Sequence, residues 1–292
     1  MSKKALPRHR APEAMRAKLI GLAALVSTAW VFSGVVLSEG SLRVPRRPSD
    51  AQEEIASFDG VKLRGVFKTA PGASACVLVL HGIGDSSRGA LGFAPMFLDA
   101  GYSVFAPDSR AHGASDGELV TFGIHEAKDI LRWAAWLRER GCGRVYGLGE
   151  SLGGAALIQA AAQEPAFAAI VAECPYSDLR SIAEYRVTQT AGAWLAVPVK
   201  AAVASAMLYT RARYGVDLNA ASPVESARGL QTPLLLIHGL ADHNTPPSHS
   251  QAIAAANPRI ATWFVPGATH TAAAFKEPAE FRRRVLSWFG SH

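Results

Sequence analysis

Ser151 stands in Gly149-Glu150-Ser151-Leu152-Gly153, directly after the apolar run Val145-Tyr146-Gly147-Leu148 and before an alanine-rich stretch of helical character. A serine held on a sharp strand-to-helix turn presents its hydroxyl for attack on a carbonyl carbon. Glycines two residues to either side leave room for that turn between strand and helix. A serine hydroxyl is a weak nucleophile by itself, so it needs a base within hydrogen-bond reach and a third group to orient that base. His270 is read as the base, because Gly267-Ala268-Thr269-His270 follows the last apolar run of the chain. Asp242 is read as the acid: it lies just past Leu235-Leu236-Ile237-His238, in a loop with Asn244, Pro246 and Pro247. A carboxylate there would fix the imidazole tautomer and stabilise the imidazolium formed during attack. The order serine, acid, histidine is the one that accompanies such a turn. The competing residues are His112, which precedes the serine, and Asp178 and Asp217. His81 and His238 each close an apolar run before a glycine and are read as turn residues; His125 and His249 stand at helix starts.

Attack by serine creates an oxyanion, and losing one donor to it costs about 3 to 4 kcal/mol. The expected donors are backbone N–H groups, that of Leu152 immediately after the serine and that of Ile83 within His81-Gly82-Ile83-Gly84-Asp85. Main-chain donors make the side chain at 83 uninformative.

Holding these groups together requires several strand ends on one edge of a sheet. Residues 76–80, 102–106, 144–148, 168–172, 234–237 and 261–265 are short apolar runs, the pattern of strands covered on both faces. Residues 61–69 alternate in polarity after Phe58-Asp59-Gly60 and read as a half-exposed strand entered through a turn. Residues 124–140 give the clearest helix, with Ile130, Leu131, Trp133, Ala134 and Leu137 on one face and Gly141 at its end. Strands alternating with helices imply an α/β fold with a mostly parallel sheet and helices on both faces. Residues 178–228 interrupt this rhythm with a helical, apolar insertion, either completing the core or capping the site.

The chain has 292 residues, half of them apolar, enough for one large domain. Its net charge of +6 is uneven: residues 1–47 hold nine Lys and Arg against Glu13 and Glu39, leaving the rest near neutral. That distribution argues against a nucleic-acid partner, which requires basic residues on the folded domain. Residues 19–38 contain no charged side chain, a length that suits a transmembrane helix. Residues 1–18 are basic and read as a cytoplasmic N-terminus, residues 39–50 as a linker, and residues 51–292 as an exported, membrane-anchored catalytic domain. A cleaved signal peptide, giving a secreted chain, is the alternative, disfavoured by the long apolar core and the missing Ala-x-Ala site. Cys76, Cys142 and Cys174 match no metal motif, and Cys76 reads as a small core residue.

Together, His81-Gly82-Ile83-Gly84, the stretch from Asp108 to Ser115, Gly149-Glu150-Ser151-Leu152-Gly153-Gly154, His238-Gly239-Leu240-Ala241-Asp242 and Gly267-Ala268-Thr269-His270 resemble the α/β-hydrolase family. The likeness covers about residues 55–290, within the branch of monoacylglycerol-lipase-like esterases and serine-aminopeptidase-like hydrolases. It implies an eight-stranded sheet with an antiparallel start, a variable cap after the sixth strand, and no metal or other cofactor. Ala111 replaces a glycine frequent in the family's loop. The expected activity is carboxylic ester hydrolysis of a small-molecule acyl substrate. A peptidase is the enzymatic alternative, with Glu173, Asp178 or Glu184 to receive a substrate amine. A membrane-tethered binding module without catalysis is the alternative of another class.

Overall fold

The computed structural model describes residues 13–292. Lys3, Lys4, Arg8 and Arg10 of the expected basic N-terminus therefore lie outside the described residues. Eight strands follow in chain order: β1 Glu53–Ala56, β2 Lys62–Lys68, β3 Ala75–Leu80, β4 Ser103–Asp108, β5 Arg144–Glu150, β6 Ile170–Glu173, β7 Leu234–Gly239 and β8 Ala261–Val265. The helices are α1 Glu13–Leu42, α2 Ser87–Ala90, α3 Ala94–Leu98, α4 Glu126–Glu139, α5 Leu152–Gln163, α6 Leu179–Ala191, α7 Ala196–Tyr214, α8 Pro223–Arg228, α9 Ser248–Ala256, α10 Ala273–Lys276 and α11 Pro278–Gly290.

The strands form one sheet in the order β1-β2-β4-β3-β5-β6-β7-β8. The β1–β2 and β2–β4 pairs are antiparallel, and every later pair is parallel. Because side chains alternate along a strand, each central strand feeds two cores. Leu78, Leu80, Val145, Ile170 and Leu236 pack with α4, α5 and Ile253 of α9 on one face. Val77, Val79, Leu148, Val171 and Ile237 pack with Phe97, Phe281, Val285 and Phe289 on the other. Strand β1 has no counterpart in the sequence-derived runs. Its Glu53-Glu54-Ile55-Ala56 is short, charged and at the sheet edge, where no apolar run is needed.

The sequence reading fails at the N-terminal segment. Among the described residues no helix is long and apolar enough to cross a membrane. The transmembrane helix expected over residues 19–38, and the anchored, exported location built on it, are not supported. The reason lies in what the last turns of α1 touch. Gly34 meets α7 so closely that a Cβ would stand 2.8 Å from the carbonyl carbon of Ser205. The Ser38 hydroxyl shares a 2.7 Å hydrogen bond with that of Thr210, and Glu39 accepts from Tyr209 at 3.0 Å and from Tyr214. Leu42 is 1% exposed. The end of the uncharged run, at Gly34 and Ser38, thus packs helix on helix against α7, where small residues permit the close approach.

Residues 43–50 continue as a strap laid on the domain. Arg46 donates to the carbonyls of Gly113, Ser115 and Gly117, Ser86 donates to the Pro48 carbonyl, and Arg88 pairs with Asp50. A further difference concerns cysteine. Cys76 is buried in the core, but it is joined to Cys142 by a disulfide that ties the end of α4 to the start of β3. Cys174 is free and buried.

Candidate active site

Ser151 joins β5 to α5 with φ 50° and ψ −113°, outside the regions comfortable for a residue with a Cβ. The tightness of the turn dictates its glycines. A Cβ on Gly149 would lie 2.5 Å from the carbonyl carbon of Gly153, and one on Gly153 would lie 2.6 Å from the Leu80 oxygen. The Ser151 amide donates to Glu173 O at 2.8 Å, which fixes the turn to the end of β6. Two further non-glycine residues with positive φ, Cys174 after β6 and Thr271 after His270, stand beside it in the fold. Thr271 N contacts Cys174 Sγ at 3.5 Å.

The ends of β5, β7 and β8 bring Ser151, Asp242 and His270 together. Ser151 Oγ lies 2.9 Å from His270 Nε2, and His270 Nδ1 lies 2.7 Å from Asp242 Oδ2. Asp242 is 2% exposed, and its Oδ1 accepts the amides of Asn244 and Thr245, each at 2.9 Å. Burial alone would raise this carboxyl. Hydrogen bonds from His238, His270 and the Thr245 amide overcome it and hold the group well below the usual carboxylate range.

His238 is the site residue that sequence reasoning misplaced as a turn residue. It is fully buried, its Nε2 lies 2.8 Å from Thr245 O and 3.3 Å from Asp242 Oδ2, and its Nδ1 lies 2.7 Å from Ser250 Oγ. A carbonyl only accepts, so Nε2 carries a hydrogen shared between Thr245 O and Asp242. The spacing of four residues from Asp242, within the same loop, was the available signal.

The other polar candidates have different partners. In His112, Nδ1 donates to Arg110 O at 2.9 Å and Nε2 accepts from Gly84 N at 3.1 Å, so neither nitrogen is available to a serine. His81 Nε2 accepts from Ser109 N at 3.0 Å, and burial with the neighbouring His112 pushes its pKa down to about 4. Both rings therefore hold the loop that carries Ile83. Asp178 caps α6 through Ser181 N, Asp217 caps the turn at Asn219 N, His249 accepts from Ser177 N, and His125 precedes α4.

Ile83 and Leu152 border the same cavity as Ser151. Among the described residues, neither amide finds an acceptor within the protein, which leaves both free for an oxyanion. This cavity has a volume of about 270 Å³ and is walled by Leu42 and Val44 from the N-terminal segment, by Phe122 and Tyr176, and by Ile182 and Met207 of the cap. A second cavity of about 250 Å³ also reaches Ser151 and is bordered by His270, Arg47, Arg186, Asp85, Glu150 and Asn244. Helix α6 sits over the acid loop. Tyr185 donates to His243 O at 3.1 Å, and Arg186 donates to Asn244 O and Thr245 Oγ1, both at 3.2 Å.

Two carboxyls stand beside the nucleophile, half-buried Glu150 and buried Glu173, paired across β5 and β6. Glu173 is fully buried; its Oε1 accepts from Ala273 N at 2.9 Å, and among the described residues its Oε2 has no partner. Burial pushes Glu173 up to about 7, and burial together with Glu173 and Asp85 pushes Glu150 up to about 8.

Residues 77–284 match the alpha/beta hydrolase family, and the chain belongs to that family. Esterase Pf2001 of Pyrococcus furiosus superposes with a TM-score of 0.68 at 24% identity, covering 85% of this chain and 99% of that one. Est1E of Butyrivibrio proteoclasticus, solved with ferulic acid, superposes with a TM-score of 0.62 at 18% identity, covering 82% of this chain and all of the other, 100%. These likenesses establish the fold. Among curated sequences, the chain is 26% identical over 209 residues to an uncharacterised protein, YqkD, of Bacillus subtilis strain 168, spanning 68% of this chain and 65% of that one. It is 29% identical over 145 residues to the quorum-quenching protein AidA of Acinetobacter baumannii, spanning 46% of each. The chain therefore spans about two thirds or less of these curated relatives' length.

Proposed function

We propose that the protein is a serine hydrolase that cleaves carboxylic esters through an acyl-enzyme. The reading is carried by the continuous relay Ser151 Oγ, His270 and Asp242, with spacings of 2.9 and 2.7 Å on a strained turn. Ser151 Oγ attacks the ester carbonyl carbon while His270 Nε2 takes its proton, and Asp242 holds Nδ1–H and stabilises the imidazolium. The amides of Ile83 and Leu152 receive the oxyanion. Collapse breaks the carbon–oxygen bond of the leaving group, which departs with the proton from His270. Water then attacks the acyl-enzyme, giving a proton to His270 that returns to Ser151, and releases the carboxylic acid. The esterase Pf2001 among the structural neighbours agrees with this class of reaction.

A peptidase recognising a substrate amine finds less support. Glu173, Asp178 and Glu184 border neither cavity at Ser151. Labelling with a fluorophosphonate probe tests the proposal: wild type is expected to react and a folded Ser151→Ala variant to remain unlabelled. Wild-type protein that fails to react, or labelling that survives the substitution, overturns it.

A further inference from the structure

The two cavities that meet at Ser151 differ in chemistry. The first is walled mainly by aliphatic and aromatic side chains, as suits an acyl chain, and shares Arg186 with the second. His270 borders only the second. Since the departing oxygen must take its proton from His270 Nε2, the leaving group occupies the second cavity and the acyl group the first. This assignment rests on the serine hydrolase reading above.

Arg47 and Arg186 both border the leaving-group cavity. Among the described residues Arg47 has no hydrogen-bond or ion-pair partner, although Arg46, its neighbour in the strap, is bound to several carbonyls. Arg186 is half-buried and bonded only to a carbonyl and a hydroxyl, both uncharged, with no carboxylate at ion-pairing distance. Arg186 feels the charge of Asp242 without bonding to it, and that carboxylate is already bonded by His238 and His270, whereas buried charges are ordinarily paired directly. The acidic groups on this cavity are Asp85 and Glu150. Glu150 holds its proton up to about pH 8, because of its burial and of Glu173 and Asp85 nearby. At neutral pH two guanidinium charges therefore face the cavity against Asp85 alone.

The geometry points to an ester whose alcohol portion bears an oxyanion, a carboxylate or a phosphate, received between Arg47 and Arg186 while an apolar acyl chain fills the cavity under the cap. Guanidinium groups bind both anions through paired N–H donors. The ester bond that breaks is the acyl carbon–oxygen bond, the proton on the released hydroxyl comes from His270, and the anionic group passes through unchanged.

The test uses three aryl esters of one acyl chain: para-butanoyloxybenzoate, para-butanoyloxyphenyl phosphate and the neutral methyl para-butanoyloxybenzoate. For each anionic ester the measured quantity is its kcat/KM divided by that of the neutral ester, in wild type and in the charge-reversed Arg47→Glu, with Arg186→Gln as a second variant. Intrinsic reactivity of the phenols cancels when wild type and variant are compared. The ratio for at least one anion is expected to fall about tenfold in Arg47→Glu and by a similar factor in Arg186→Gln. The arm that falls identifies the anion. Ratios unchanged in both variants, with Ser151 still labelled by fluorophosphonate, overturn the anionic leaving group and leave the serine hydrolase standing. Absence of both ester cleavage and labelling overturns the two together.

Discussion

His238 Nε2 lies 3.3 Å from the same Asp242 oxygen that His270 Nδ1 approaches at 2.7 Å. The acid thus has a second imidazole donor, buried and held from behind by Ser250 and Thr245. A donor to a charged acceptor contributes about 1.5 to 3 kcal/mol. His238→Phe is therefore expected to lower kcat by about tenfold or more. His238→Gln, which keeps an N–H, should recover part of the loss. Turnover measured beside thermal unfolding of both variants checks this, since packing damage alone would lower kcat in step with stability and give His238→Gln no advantage at equal stability.

Asp242→Asn preserves shape but leaves the imidazole without its carboxylate. On the proposed mechanism kcat falls by roughly 10⁴ through the wrong tautomer and the unstabilised imidazolium. Asp178→Ala removes only a helix cap and should cost about 1 kcal/mol of stability with kcat little changed. Turnover and urea unfolding of the two variants separate the roles.

The apolar cavity predicts a rise of kcat/KM with acyl length until its volume of about 270 Å³ is filled. Each buried methylene adds about 0.8 kcal/mol up to that point. Ala206→Phe, which projects into this cavity from α7, should move the optimum to shorter chains. A para-nitrophenyl ester series from acetate to decanoate, read in wild type and variant, gives the answer.

Glu173 links stability to pH. Burial raises its folded pKa to about 7, so the folded chain binds a proton that the unfolded chain has already lost. Stability due to this group is present below the unfolded pKa and falls as pH rises through about 7. Glu173→Gln keeps an acceptor for Ala273 N and removes the ionisation. It should raise Tm by about 5 °C near pH 8 and change it little at acid pH. Thermal unfolding across pH decides it.

The Cys76–Cys142 bond closes a loop with a sequence separation of 66 residues. Chain entropy alone assigns it about 4 kcal/mol. Reductant, or Cys142→Ser, is expected to lower the urea midpoint correspondingly while ester cleavage by the folded fraction persists, because both sulfurs lie far along the sheet from Ser151.

What could be read in the sequence was set by locality. The parallel strands announce themselves because a strand covered on both faces must be apolar throughout, as Val77 to Leu80 are. The turn at Ser151 is visible because only glycine fits at 149 and 153. His238 was misread because its role depends on Thr245, Ser250 and Asp242 closing around it, which no spacing declares. The run at 19–38 was misread for a related reason: an uncharged helix suits lipid or another helix, and only contacts such as Gly34 on Ser205 distinguish them. The pairing of Cys76 with Cys142, likewise, follows from where α4 ends in space.

The placement of Leu42 and Val44 in the wall of the acyl cavity has a consequence for how this chain divides its labour. The groups proposed to break bonds come from the sheet, whereas part of the surface that measures the substrate comes from a segment outside the sheet altogether. Selectivity could then drift by changes in α1 and its strap while the reaction stays fixed. A chain shortened to begin at β1 would hold its nucleophile, acid and base, yet lose its sense of acyl length.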